Sequence, residues 1–333
     1  IENQIATSFS SLKGSLALAA ELKQYQKGFY QRKDKHLPSG REAGFLVSAN
    51  GDPARRDDLA SLLKQHQIHF FYLKEKMKQG RHQYTQADSL FIPINQPQKS
   101  LLLAMFDLRT EFEDATFYDV SSWNLAFSYN LQMARNVNLN VDDLLASPPP
   151  LESNRISTSN VAVLIDWRQQ NAAPLLQRLL TDGIKVKFAA KPFSLKVNDQ
   201  TLDLQAGALQ IPVAQASHTP KALIEKLTKL ATQYGVHLEG VDTGLAATGI
   251  DLGSPDFHDI APIKAMVVTG YGTSSSEVGE LWYFMDNLIG APLTQVDVSR
   301  LPSIDLEAYT HIFLVDGSYA NLEEKYARKL GQF

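Results

Sequence analysis

The sequence predicts an α/β protein of tandem flavodoxin-like and amidotransferase-like units, in which parallel sheets are flanked by helices. Three observations carry that expectation. Apolar runs of strand length alternate with amphipathic runs of helix length from residue 44 onward. Helix starts and stops are punctuated by Asp, Ser or Thr, by Pro and by Gly. The same order of elements also recurs at a nearly constant offset, so a second unit repeats the first in outline.

Residues 1–43 form a leading helical segment, because Leu12, Leu16, Leu18, Leu22, Tyr25 and Phe29 fall at helical spacing. A first α/β unit spans 44–150. Phe45-Leu46-Val47 reads as a strand, and Asp52-Pro53 as a helix N-cap followed by proline at the first helical position. Leu59, Leu62 and Leu63 form the buried stripe of that helix. Strands follow at 68–73 and 89–95, and Pro93 inside the latter argues for an edge strand or a bulge. An amphipathic stretch around Trp123 to Ala134 closes the unit, and 151–160, after Pro148-Pro149-Pro150, reads as a linker.

The second unit, 161–260, has strands at 161–165, 184–188 and 209–213 and helices at 172–180 and after Thr219-Pro220. Phe45 to Val161 and Ile68 to Ile184 are each 116 positions apart, and Pro93 to Pro212 is 119. A third unit, 261–333, begins with a strand at 264–269. The tight loop Gly270-Tyr271-Gly272-Thr273 leads into a capping box, Ser274 to Glu277, in which the two side chains are expected to cap each other's amides. A helix at 278–288 and strands at 293–298 and 311–315 follow. Three strands are few for a parallel layer, so this unit reads as incomplete.

Composition narrows the function. With 44% hydrophobic and 20% charged residues, the 333-residue chain is an ordinary globular sequence of two or three domains. The net charge of −4 and the lack of a concentrated basic face argue against nucleic acid as a partner. No apolar run reaches the roughly eighteen residues of a membrane span. Cysteine is absent, which removes disulfides, thiolate nucleophiles and thiolate metal ligands. The chain opens on Ile1 with no charged-then-apolar leader, and so reads as an internal or processed piece.

Several segments together resemble a known family. They are Phe91-Ile92-Pro93-Ile94-Asn95-Gln96-Pro97-Gln98, Phe117-Tyr118-Asp119-Val120-Ser121-Ser122-Trp123 and Gly249-Ile250-Asp251-Leu252-Gly253-Ser254-Pro255. They are similar to the region downstream of the catalytic domain in large secreted bacterial zinc carboxypeptidase-like proteins, relatives of carboxypeptidase A. Gly272 to Trp282, Asp305 to Tyr309 and Val315 to Tyr319 resemble the start of the class I glutamine amidotransferase-like domain of those proteins. The resemblance implies a secreted or periplasmic parent whose zinc lies in an upstream peptidase domain of the same polypeptide. This chain would then be an accessory region that supports that domain or presents peptide substrate to it.

The zinc site itself does not carry over. Such a peptidase uses His-x-x-Glu and a distant His, and none of the eight histidines here has Glu three residues later. No cofactor, metal ligand or catalytic residue is therefore assigned to this chain. His66 and His69 lack a carboxylate companion. The amidotransferase nucleophile is a cysteine that this chain lacks, and Ser318 falls in a different loop from the one where that nucleophile belongs. Asp251, Asp256, His258 and Asp259 read as a turn cluster, and Trp123 and Trp282 as core residues on apolar helical stripes.

The remaining candidate is the loop Gly272, Thr273, Ser274 and Ser275, which lies between a strand and a helix start. Free amides there attract anions, although Ser275 replaces the third glycine of a dinucleotide loop; Asp297 lies 25 residues after Gly272. The rival functions are thus a ligand-binding module at this loop and a hydrolase or transferase whose active site is completed beyond residue 333.

Overall fold

The computed structural model describes residues 2–31, 37–108, 124–150, 156–197, 200–319, 328–331 and 333. The chain divides into two compact units, Ile1–Glu152 and Ser153–Phe333.

The first unit opens with helices α1 (Glu2–Ala17) and α2 (Ala19–Gln31). Strand β1 (Arg41–Ser48) then leads into α3 (Pro53–Gln65), where Asp52 caps the helix by accepting from Arg55 N. After β2 (Phe71–Tyr72) come a small hairpin, β3 (Met77–Gln79) with β4 (His82–Tyr84), and then β5 (Ser89–Pro93). Helices α4 (Lys99–Met105) and α5 (Leu125–Ser128) precede β6 (Gln132–Asn140). The sheet order is β2-β5-β1-β6, and every neighbouring pair is antiparallel.

The second unit repeats this plan. Strand β7 (Ala162–Ile165), α6 (Ala172–Thr181), β8 (Lys187–Ala189), the hairpin β9 (Phe193–Val197) with β10 (Gln200–Leu204), β11 (Leu209–Pro212), α7 (Pro220–Tyr234) and β12 (Glu239–Val241) follow in turn. Short strands β13 (Thr248–Gly249) and β14 (Phe257–Asp259) come after them. The sheet order β12-β7-β11-β8-β14 contains the first sheet's order, with β14 added beside β8 and all pairs again antiparallel.

The expectation of parallel sheets is thus overturned for both repeats. A helix between two strands requires only that the strands run the same way, not that they be neighbours. Here β1 and β2 do run the same way, with β5 inserted between them. Likewise β5 and β6 flank β1. Two such interleaved crossovers make the split β-α-β arrangement of ferredoxin-like sheets.

The strands looked parallel in sequence because both faces of each sheet are buried. Helices cover one face, with Val47, Leu59, Leu63, Ile92 and Leu102 in the core. The hairpin side covers the other, where Leu46, Leu73, Tyr84, Phe91 and Val137 cluster. The second repeat divides its core in the same way. Strands covered on both faces read as continuous apolar runs whatever their direction.

Two further expectations change. Pro93 ends an inner strand rather than an edge: opposite Gly44 it occupies the last register position, where its missing N–H costs no interior ladder bond. The stretch read as an amphipathic helix to Ala134 yields only α5, since Asn130 takes a left-handed φ of 48° and the chain then enters β6. Trp123 lies outside the described residues, as does the segment Phe117 to Ser122.

A side-chain clamp marks the duplication. Gln96 Oε1 accepts from His69 N at 2.6 Å, while its Nε2 donates to His69 O and Pro93 O. Gln215 Oε1 accepts from Lys185 N at 2.8 Å, while its Nε2 donates to Lys185 O and Pro212 O, each at 3.0 Å. In each repeat one amide side chain thus ties the segment entering β2 or β8 to the end of β5 or β11.

The last part is a separate sheet. Strand β15 (Ala265–Thr269) lies between β16 (Leu293–Asp297) and β17 (His311–Leu314) and is parallel to both. Helix α8 (Ser275–Trp282) continues as a π-helical segment, Tyr283–Ile289, and ends at left-handed Gly290. Val278, Met285 and Ala291 cover one face of this sheet, and Leu301 and Leu306 the other.

Candidate functional site

In an open parallel sheet, ligands sit beyond the carboxyl ends of the strands, where the chain reverses its direction of winding. The chain passes from β15 to β16 on one side and returns to β17 on the other, so that point lies between the ends of β15 and β17. The loop Gly272 to Ser275 is located there.

The two loops at that point are joined by backbone bonds. Ser318 N donates to Gly272 O and Ser274 N donates to Asp316 O, both at 2.8 Å, and Thr273 and Gly317 form an isolated bridge. The approach is close enough that a Cβ on Gly272 would lie 2.7 Å from Ser318 O. With φ at +93°, the position also disfavours any other residue. Tyr271 projects from the loop, 92% exposed.

Only half of the expected capping box forms. Ser274 Oγ accepts from Glu277 N at 3.5 Å, as an N-cap should. Glu277 does not return to Ser274 N, which Asp316 O already holds; its Oε2 accepts from Asp316 N at 2.7 Å instead. The β17 loop has taken over the partner role that a free helix start leaves to its own glutamate.

The electrostatics of this end are acidic. Tyr319 donates to Val315 O, and its pKa is raised by burial first and then by the charges of Asp316 and Glu277. Asp297, at the end of β16, is held below the ordinary carboxylate value by hydrogen bonds from the Ser299 hydroxyl and amide. Anion attraction by the α8 amides is therefore opposed by nearby carboxylates. A neutral or cationic group suits this end better.

Other candidates take structural roles. His66 ends α3, and His69 offers its backbone to Gln96. Of the expected turn cluster, Asp251 caps a local amide by accepting from Ala246 N, but Asp256 pairs with Lys191 at 2.9 Å, and His258 and Asp259 lie in β14, where His258 packs against Phe188. Trp282 is 44% exposed and thus not a core residue; Val278 and Met285 form the buried side of this helix. Among the described residues, no three His, Asp or Glu side chains converge as a metal would require, so no zinc ligand set is present among them.

A buried polar centre in the first repeat escaped the sequence reading. Asp88 accepts from Ser48 Oγ, Gly51 N, Thr85 N, Thr85 Oγ1 and Ser89 Oγ. Beside it, buried Arg56 stacks 5.1 Å from the Tyr72 ring centre and donates to Gln86 O and Ala87 O. Thr85 and Ser89 close the turn before β5 around Asp88, while Ser48, Gly51 and Arg56 tie that turn to the end of β1 and the start of α3, so the cluster is a brace. The local Thr85–Asp88–Ser89 turn does not reveal the brace, because the partners that make it one, Ser48, Gly51 and Arg56, lie some 30 to 40 residues away.

No protein-family model, curated protein or solved structure matches the chain.

Proposed function

We propose that this chain is the non-catalytic accessory region of a zinc metallocarboxypeptidase-like protein. It supports the upstream peptidase domain of the same polypeptide or presents peptide substrate to it. The parent is then secreted or periplasmic, and the zinc belongs to its peptidase domain. The observation that carries the reading is the leading arm. Ile5, Phe9, Leu12 and Leu16 recur along α1 at spacings of four, three and four, and Leu18, at the junction of the two helices, is followed at spacings of four and three by Leu22 and Tyr25 of α2. All seven are between 46% and 79% exposed. Two apolar helical stripes left bare are surfaces for another domain, and the arm is the part of this chain nearest to anything encoded upstream.

The test is hydrogen exchange on this chain and on the longer polypeptide encoded with it. Slower exchange in α1 and α2 of the longer protein is expected, with loss of that protection and of carboxypeptidase kcat/KM in a Leu12→Glu, Leu22→Glu variant. An upstream reading frame without a zinc ligand set, or equal exchange of the arm in both proteins, removes the proposal.

The position of Gly272 to Ser275 at the winding reversal favours a second reading, a ligand-binding or amidotransferase-like module completed beyond residue 333. Its test is thermal melting with neutral amides such as glutamine. A stabilisation lost in Gly272→Ala supports it.

A further inference from the structure

The second repeat carries a cleft of about 430 Å³ at the outer edge of β12, lined in part by Asn160, Lys196, Gly240, Asp242 and Thr243. Strand β12 is the edge of its sheet, paired only with β7. On the other side of β7, Val161 O accepts from Val213 N, so by register Val163 and Ile165 direct their backbone groups toward β11, while Val161 N reaches across to Val241 O of β12. Residues 162 and 164 therefore face β12, where their register partners are Val241 and Glu239. Gly240, between those two, directs its N–H and C=O outward into the cleft although the residue is buried. A buried backbone pair of this kind needs a partner.

Charges of opposite sign flank that edge. Asp242 is anchored on one side, with one oxygen accepting from Asn160 Nδ2 at 2.6 Å. Lys196 is held on β9 by donating to Thr201 Oγ1 at 2.7 Å, which leaves two of its three donors for other partners. No ion pair within 4.0 Å joins Asp242 and Lys196 to each other among the described residues.

We infer that this cleft binds a short peptide with free ends, laid along β12 as an added strand. Gly240 exchanges backbone hydrogen bonds with it, Lys196 takes the carboxylate and Asp242 the ammonium. Main-chain pairing supplies the orientation, as in other strand additions, and the two charges select for unblocked ends. The inference rests on the second repeat alone and holds whether or not a peptidase lies upstream.

Titration of the ¹⁵N-labelled chain with trialanine tests it. Amide shifts centred on Gly240, Val241 and Asp242 are expected, with a Kd on the order of a millimolar for so small a ligand. Trialanine amide and N-acetyl-trialanine should each bind about threefold more weakly, the scale of one exposed ion pair. Lys196→Gln should abolish the preference for the free carboxylate, and Asp242→Asn the preference for the free amine; both side chains are exposed, so both variants are expected to fold. Shifts centred elsewhere, equal binding of the blocked peptides, or no shift at ten times that concentration would overturn the inference.

Discussion

Gln96 and Gln215 show how much a single side chain can organise. Each satisfies both backbone groups of one residue and the carbonyl of a proline that cannot donate in return. Gln96→Ala leaves these groups without their partner in a buried setting and should lower stability by about 1–3 kcal/mol. Gln215→Ala, in the more exposed copy, should cost less. Urea unfolding of the two variants checks the order. Asp182 offers a test by pH. Burial alone would raise its pKa, but hydrogen bonds from Arg178 and Lys226, at 3.0 and 3.1 Å, outweigh that and lower it below 3.8. A depressed carboxylate stabilises the fold above its unfolded pKa, and that contribution is lost as pH falls through the folded value. The chain should therefore be more stable than Asp182→Asn at neutral pH, with the difference shrinking as pH falls from 3.8 toward the lower folded value in parallel melts. The sequence reading aligns Pro93 with Pro212 but passes over the glutamine three residues after each. Their partners come from segments about thirty positions away.

Among elements, the two repeats solve one helix ending in different ways. Both helices finish with a left-handed residue at the same offset, Gln67 at φ 56° after α3 and Gly183 at φ 73° after α6. The amides that follow are also equivalent: Ile68 N donates to Leu63 O and Ile184 N to Leu179 O, both at 2.9 Å. A side chain is strained in that conformation, whereas glycine is not. Gln67→Gly should therefore gain about 0.5–1 kcal/mol and Gly183→Ala lose about 1 kcal/mol, measured as midpoint shifts in denaturant. Helix α1 gives the opposite kind of prediction, since none of its residues is buried. Phe9→Ser should change the stability of this chain by less than about 0.5 kcal/mol, while Leu59→Ala, in the core, should cost about 2–5 kcal/mol. Calorimetry of the two variants separates a docking surface from a core. Helix starts were legible because their signals are local: Asp52-Pro53, Thr219-Pro220 and Ser274 all cap where the sequence placed them. The hairpins and β6 were not, because short polar strands form only where a neighbouring edge awaits them.

On the scale of the molecule, residues 153–333 hold a complete repeat and the parallel three-stranded sheet, with cores of their own. Expressed alone, this fragment should melt cooperatively, as circular dichroism would show; a chain without a sharp transition would mean that the first unit is required for its folding. The sequence by itself determined the number and order of most helices and strands, the duplication and its offset, and the absence of thiol chemistry. Those follow from residue periodicity, capping chemistry and composition, which are properties of neighbours along the chain. Only the tertiary structure decided that the repeated sheets are antiparallel, that Glu277 serves the β17 loop rather than its own helix start, and that Gly240 faces a cleft between opposite charges. Each of these depends on which strand lies beside which, and that is set by long-range burial of both sheet faces rather than by any pattern within one segment.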